Sequence, residues 1–392
     1  MMMRINVLGN FSGRNAGDAA ILGGLMQDIL AVRSDVTFTI PTINTRFVSK
    51  TFAEFPVKPI SLMPWALSLK ILGLPTLVAA LRADLILVTD AILFDRKLYN
   101  PLFNYLHTLS LVLPIAARRR VPIALYNCSL GPIRTPQGHR ALQRVVDSAS
   151  MLILRDIESR ELLHKLGISH PNILDGADSA LNAQPVDDRR FDEICRAEQL
   201  FKSNRPVIGF NINSYVDAFV RQDGKTFGRE QLIELYALTA DRAIQTFDVD
   251  VIFVETQHMD MAIAEEVVQR IAYQDRVRMI SNRRYSYRDI CAVLKRMELF
   301  VGMRTHSLIL SSAMGVPPVG IVTYPKNRGY MRTIGQEENL IEFRDLSYDT
   351  FFEKIRIAFQ HRQEIKVKLL PAVEQEKQKA RKSAEFLKPF LL

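Results

Sequence analysis

The chain has little that would staple it covalently or hold it across a membrane. Its 392 residues include three cysteines, Cys128, Cys195 and Cys291, widely spaced and without a Cys-x-x-Cys pair. Neither a disulfide framework nor a metal site is therefore expected, and a reducing compartment is. No segment offers the roughly 18 uninterrupted apolar residues of a spanning helix. The longest candidate, residues 62–94, is broken by Pro64, Lys70, Pro75, Arg82 and Asp84. Within it the leucine-rich stretch from Trp65 to Pro75 holds the one tryptophan. It reads either as a buried, domain-covering helix or as an element lying on a membrane surface. The first residues, Met1 to Leu8, turn into a strand without the apolar core and small-residue cleavage site of a secretory signal. The expected location is cytoplasmic, with peripheral contact at the inner face of the cell membrane as an open extension. Basic residues are scattered, and no aromatic-interleaved patch or nucleic-acid module occurs, so nucleic acid is not an expected partner.

What is present fits a large folded enzyme. With 48% hydrophobic residues the chain is long enough for two cores, and compositional disorder is excluded over most of it. The net charge is +9, and residues 1–185 carry +6 of it, from 19 Lys and Arg against 13 Asp and Glu. Such a balance suits an anionic partner, whether a phosphorylated substrate or a membrane surface. The sequence leaves the oligomeric state open.

Short apolar runs alternate with helix-like stretches, the pattern of a parallel sheet covered by helices. Strands are expected at Ile5–Leu8, Val36–Ile40, Leu85–Val88, Ile123–Tyr126, Leu152–Leu154 and Ile173–Leu174. Helices are expected at Asp18–Val32, Pro101–Ala117, Gly138–Ser148 and Ile157–Leu166, the last stopped by Gly167. From Leu181 to Arg205 strand signals vanish and polar residues dominate, which reads as a link. The rhythm then resumes, with strands at Val207–Phe210, Val251–Val254, Val277–Ile280, Leu299–Val301 and Val319–Val322. Helices are expected there at Arg229–Phe247, Met261–Ala272, Tyr287–Met297 and Thr305–Met314. The expected architecture is α/β, with two doubly wound Rossmann-like domains facing across a cleft. Their bounds are 1–185 and 206–370, joined by a linker at 186–205. A charged helix in residues 371–392 is expected to pack back on the first domain.

Two loops carry most of the chemistry. Strand Leu299–Val301 runs through Gly302 into Arg304-Thr305-His306, where a helix starts. Free backbone N–H groups and the positive end of the helix dipole collect there, making a site for anions. Arginine adds a planar fork for carboxylate or phosphate, and histidine adds a proton that moves near neutral pH. The second loop, Gly9 to Gly17, also joins a strand to a helix. It lacks the spacing of a dinucleotide or Walker loop, and Asp18 behind it reads as a helix N-cap or as a catalytic carboxylate. Tyr324 to Gly329 reads as a polar loop returning to the same cleft, which makes Lys326 and Arg328 candidate anion partners. Asn211 and His258 stand at further strand ends.

These residues carry a resemblance. Asn15-x-Gly17-Asp18, Ser129-Leu130-Gly131-Pro132, Arg155-Asp156-x-x-Ser159, Gly209-Phe210-Asn211 and Gln257-His258-x-x-Asp260 stand in the order found in the polysaccharide pyruvyl transferase family. Arg304-x-His306, running through Gly315-Val316-Pro317 to Tyr324-x-Lys326, is the most specific match. The resemblance implies a fold similar to GT-B glycosyltransferases, with the C-terminal helix crossing back. It also implies transfer of a pyruvyl group from phosphoenolpyruvate, the donor substrate, to hydroxyls of a sugar or lipid-linked acceptor, giving a ketal without a cofactor. On that reading Arg304 holds the acid groups of the donor, His306 is the general acid and Asp18 the base. Asn15, Gly17, Asn211, His258, Tyr324, Lys326 and Arg328 would line the substrates. One departure stands out: Thr89-Asp90-Ala91-Ile92 replaces the glycine-rich turn of many members. The competing readings are a glycosyltransferase with a nucleotide-sugar donor and a non-catalytic component of a polysaccharide assembly complex.

Overall fold

The computed structural model describes residues 2–61, 74–99, 105–214 and 228–392. Most of the Trp65–Pro75 stretch, and the start of the expected helix at Pro101, lie outside them. The chain divides into two compact units. The first comprises Met1–Gly13, Ile21–Asn182 and Glu376–Leu392, the second Arg14–Ala20 and Ala183–Gln375.

The first unit is built on a seven-stranded parallel sheet. In chain order its strands are β1 (Met3–Leu8), β2 (Val36–Thr42), β3 (Val57–Ser61), β4 (Leu85–Val88), β5 (Ile123–Cys128), β6 (Met151–Leu154) and β7 (Ile173–Asp175). In space the order is β3-β2-β1-β4-β5-β6-β7. Central strands β4 and β5 are buried along their whole length, because helices cover both faces of the sheet and leave no solvent side for polar residues. Strand β3 escapes sequence reading because it is an edge strand, Val-Lys-Pro-Ile-Ser, with no fully buried residue.

The second unit repeats the plan with six strands. They are β8 (Val207–Phe210), β9 (Asp250–Glu255), β10 (Val277–Ser281), β11 (Leu299–Gly302), β12 (Pro318–Val322) and β13 (Leu340–Glu342), ordered β10-β9-β8-β11-β12-β13. Its core is aromatic on one face: Phe210 stacks on Phe253 with centroids 5.6 Å apart, and Tyr236 lies 5.1 Å from Phe351.

Three expectations about organisation change. Residues 186–205 are no linker: they hold the helix Asp188–Glu198, capped by Asp187, whose Oδ1 accepts the Arg190 N–H at 2.8 Å. That helix buries Ile194 and ties into the second unit through Arg190 to Asp289 (3.1 Å) and Tyr285 to Glu198 (2.5 Å). One buried side chain in eleven residues leaves a polar sequence that resembles a link. Likewise the segment Arg14–Ala20, a loop end and the first turn of a helix, groups with the second unit, although it sits far upstream in the chain. The tail helix runs from Arg362 to Phe386, straight through Pro371, and its last turns group with the first unit. There Ser383 Oγ donates to Asn127 Oδ1 at 2.7 Å.

Candidate active site

Each sheet reverses its winding direction once, between β1 and β4 in the first unit and between β8 and β11 in the second. At such a point the loops leaving the carboxyl ends of adjacent strands diverge and open a crevice for ligands. In the second unit the residues there are Asn211, just beyond β8, and Arg304, two residues beyond β11.

Asn211 is fully buried and holds the crevice in shape. Its Oδ1 accepts from the Arg304 N–H (3.2 Å) and from Ser307 Oγ (3.1 Å). Its Nδ2 donates to the Val254 carbonyl (3.0 Å) and to Glu255 Oε2 (3.2 Å). A side chain committed on both ends to protein partners positions the helix start, where the sequence reading had expected a substrate contact. Gly302 permits the tight approach, because a Cβ there would stand 2.8 Å from Leu308 Cδ2 and 2.9 Å from Ser307 Oγ.

Arg304 is the N-cap of the helix Thr305–Ala313. Its Nε and Nη2 donate to the two carboxylate oxygens of Asp260 at 2.8 and 2.7 Å. Asp260 is fully buried and also accepts from the Ser214 N–H and hydroxyl, at 2.9 and 2.8 Å. The edge of the guanidinium that was expected to grip a substrate acid therefore grips an internal one. Beside this pair lies Glu255. Burial, and next the Asp260 charge, push its carboxyl well above the ordinary range, against the opposing pull of the Ile212 N–H and Arg304. Burial thus favours the protonated form of Glu255 beside the Arg304–Asp260 pair.

The loop ahead of the helix Ala16–Val32 joins this crevice. Two backbone bonds stitch it to the loop after β9, Ala16 N–H to the Thr256 carbonyl (2.8 Å) and His258 N–H to the Arg14 carbonyl (3.0 Å). Asn15 Oδ1 accepts the Gly17 N–H and its Nδ2 donates to Asp18 Oδ1, both at 2.8 Å. Asp18, expected at the N-cap, instead stands inside the first turn, and Asn15 takes the capping position. Gly17 is where the two loops meet: a methyl group on it would overlap Cβ, Cγ and Nδ1 of His306. The imidazole packs directly on the Gly17 backbone, so Asn15, Gly17, Asp18, Arg304 and His306 converge.

The remaining candidates divide. Tyr324 and Lys326 stand at the start of a helix, Pro325–Thr333, where the sequence had suggested a loop; proline at its first position suits a helix start. This start adjoins that of the helix Thr305–Ala313, since Asn327 Nδ2 donates to the Met303 carbonyl at 2.9 Å and Thr305 Oγ1 to Asn327 Oδ1 at 2.5 Å. Arg328 points to structure, pairing with Glu342 of β13 at 2.7 Å. His258 makes a long contact, 3.4 Å, with the Asn282 carbonyl; burial holds its imidazole below the ordinary histidine value, helped by Arg283 and Arg14. Among the described residues no group of three or more His, Cys, Asp or Glu is placed to bind a metal ion.

In the first unit the motif residues are structural. Asp156 caps the helix Ile157–Lys165 by accepting the Ser159 N–H at 2.9 Å, and Ser159 Oγ accepts the Leu130 N–H at 2.8 Å. Arg155 donates to Asp178 at 2.6 Å, with both side chains buried. The departure at Thr89-Asp90-Ala91 also acquires a reason. Asp90 has φ +71°, a conformation glycine adopts freely, and aspartate tolerates it because its carboxylate accepts the next N–H, that of Ala91, at 2.6 Å.

The chain resembles several known proteins over nearly its whole length. The amylovoran biosynthesis protein AmsJ of Erwinia amylovora is 24% identical, with 96% of each chain covered. HepE of Anabaena, solved with UDP-glucose, superposes with a TM-score of 0.61 at 17% identity, covering 99% of this chain and 100% of that one. The UDP-GlcNAc 2-epimerase of Neisseria meningitidis superposes with a TM-score of 0.66 at 10% identity, covering 100% and 99%. At these identities the structural likenesses speak for the fold, two Rossmann-like units of the GT-B kind. Residues 15–324 match the polysaccharide pyruvyl transferase family, and the chain belongs to it.

Proposed function

We propose that this member of a family of transferases of polysaccharide biosynthesis moves a pyruvyl group from phosphoenolpyruvate to two hydroxyls of a saccharide, forming a cyclic ketal and releasing phosphate. The observation that carries the reading is the packing of His306 on Gly17, which unites the helix start after β11 with the Asn15–Asp18 loop. Phosphoenolpyruvate brings a carboxylate and a phosphate. The first-turn N–H groups at Thr305 and His306, with Lys326 at the adjacent helix start, supply positive groups for them. Arg304 serves this site from behind: paired with Asp260, it fixes the loop and the capped helix start.

The chemistry then balances without an external reagent. His306 protonates the methylene carbon of the enol, which becomes a methyl group, as one hydroxyl attacks the neighbouring carbon. The second hydroxyl displaces phosphate from that carbon and closes the ketal, and the two hydroxyl protons pass to bases. Asp18, held by Asn15 and next in the chain to the glycine that packs on His306, is the carboxylate assigned to the first of them.

Thermal shift separates this reading from nucleotide-sugar transfer, since a ligand that binds only the folded state raises the melting temperature. Phosphoenolpyruvate should raise it, and nucleotide sugars should not. The reverse pattern would assign the crevice to glycosyl transfer, and no shift with either would favour a non-catalytic role.

A further inference from the structure

Two neighbouring helices of the first unit turn apolar side chains outward where polar ones are the rule. Helix Leu74–Leu81 leads into β4 and helix Leu106–Arg118 into β5, and the two pack against one another. On the first, Thr76 and Ala80 are buried, whereas Leu74 and Val78 are 47% and 37% exposed. On the second, Leu109, Val112, Leu113 and Ala116 are buried, whereas Ile115 is 37% exposed. Tyr99, on the loop between β4 and the second helix, is 59% exposed with its ring edge-on to His107, centroids 4.8 Å apart. Single exposed apolar residues mean little, but four in adjacent elements form a surface.

Charge completes the pattern. Both helices precede strands of one parallel sheet, so they run in the same sense and their carboxyl ends coincide. At those ends stand Arg82 and the run Arg118-Arg119-Arg120, all exposed, and among the described residues none of the four is in an ion pair. Between residues 74 and 120 the one exposed acid among the described residues is Asp84, and it is paired with Arg4 at 2.8 Å. Exposed apolar side chains on two adjoining helices, an exposed tyrosine and an unbalanced set of arginines match the layered chemistry of a lipid surface, acyl chains below and phosphates above. A nucleic acid would leave the apolar groups without counterparts, and a protein partner would give no reason for one sign of charge.

We propose that this face of the first unit docks on an anionic bilayer, with Leu74, Val78 and Ile115 entering the interface and Arg82 and Arg118–Arg120 reaching lipid phosphates. The proposal is independent of the donor reading. Held this way, the enzyme would meet an acceptor carried on a membrane lipid in the plane of that membrane.

The test is co-sedimentation of the full chain with vesicles of phosphatidylglycerol and phosphatidylcholine in equal parts, against phosphatidylcholine alone. The chain should bind the anionic vesicles, and less so as salt rises. Replacing Arg118, Arg119 and Arg120 together by glutamine should weaken binding about a hundredfold at low salt. The pair Val78→Glu and Ile115→Glu should weaken it about tenfold or more. Both variants change exposed positions, and circular dichroism together with turnover of a water-soluble acceptor should match the parent. Absence of binding by the parent chain, or binding untouched by either variant, would overturn the proposal. So would a parent dimer that Val78→Glu and Ile115→Glu dissolve, which would give the face to a second copy of the chain.

Discussion

The two units share a sheet plan and differ in what fills the point where each sheet reverses. In the first, the reversal is lined by Thr89 and by Asp90, whose carboxylate satisfies its own loop. In the second, the same place holds a buried ion pair, a buried glutamate whose carboxyl is raised well above the ordinary range and a histidine laid on a glycine backbone. One architecture thus makes a crevice twice, and its chemistry is decided by which ionisable groups are locked into it. The first unit keeps its own displaced carboxyl elsewhere: Asp28, bonded to Asn182 at 2.9 Å, where burial raises it to about 6.

The contrast is broken most severely at Arg304. Arg304→Ala would leave Asp260 charged and buried, at a cost of about 3–5 kcal/mol, so urea unfolding should shift strongly before any effect on donor binding is read. A loss below about 1 kcal/mol would mean that Asp260 is not the partner that matters.

Asp28 probes the other unit through pH. Its carboxyl is raised from 3.8 to about 6 on folding, so the folded state binds the extra proton between those values. The associated stability is present below pH 4 and is lost as pH rises through 6, about 3 kcal/mol in all. Asp28→Asn should remove this loss: relative to the parent, the variant should gain stability in urea titrations as pH goes from 4 to 7. A difference between the two that does not change with pH would contradict the assignment. Glu255, whose carboxyl is likewise raised by burial well above its ordinary value, gives the same sign over a window that opens near 4.5 and extends upward.

Gly17→Ala tests the meeting of the two loops. The new methyl group must push His306 aside, and a displacement of about 1 Å at a reacting group costs on the order of a hundredfold in turnover, about 2.7 kcal/mol. The apparent Michaelis constant for the donor should change less than kcat. The smallest effect belongs to Arg328, which the sequence reading had assigned to substrate. Its pair with Glu342 is partly exposed, so Arg328→Ala should cost under about 1 kcal/mol and leave the Michaelis constant for the donor unchanged.

What the sequence makes legible follows the physics of each element. Strands β4 and β8 can be read to the residue, because a strand buried on both faces is an unbroken apolar run. The edge strands β3 and β13 and the helix Asp188–Glu198 cannot, since each buries too little to impose a pattern. At the site, the helix start with Arg304 and His306 is visible because strand, glycine and helix are contiguous. The partners of Arg304 are not: Asn211 lies 93 residues away and Asp260 44, and such pairings leave no local periodicity. The pairing of Arg328 with Glu342 was hidden for a related reason, because it depends on a strand that itself could not be read.

The central claim is that the second unit's crevice protonates and transfers an enol. Incubation with phosphoenolpyruvate and a saccharide acceptor in heavy water, followed by mass spectrometry of the product, tests it directly. The parent chain should give a pyruvyl ketal carrying one deuterium in its methyl group, and His306→Ala should form it about a thousandfold more slowly. A ketal without deuterium, or one formed equally fast by His306→Ala, would contradict the account.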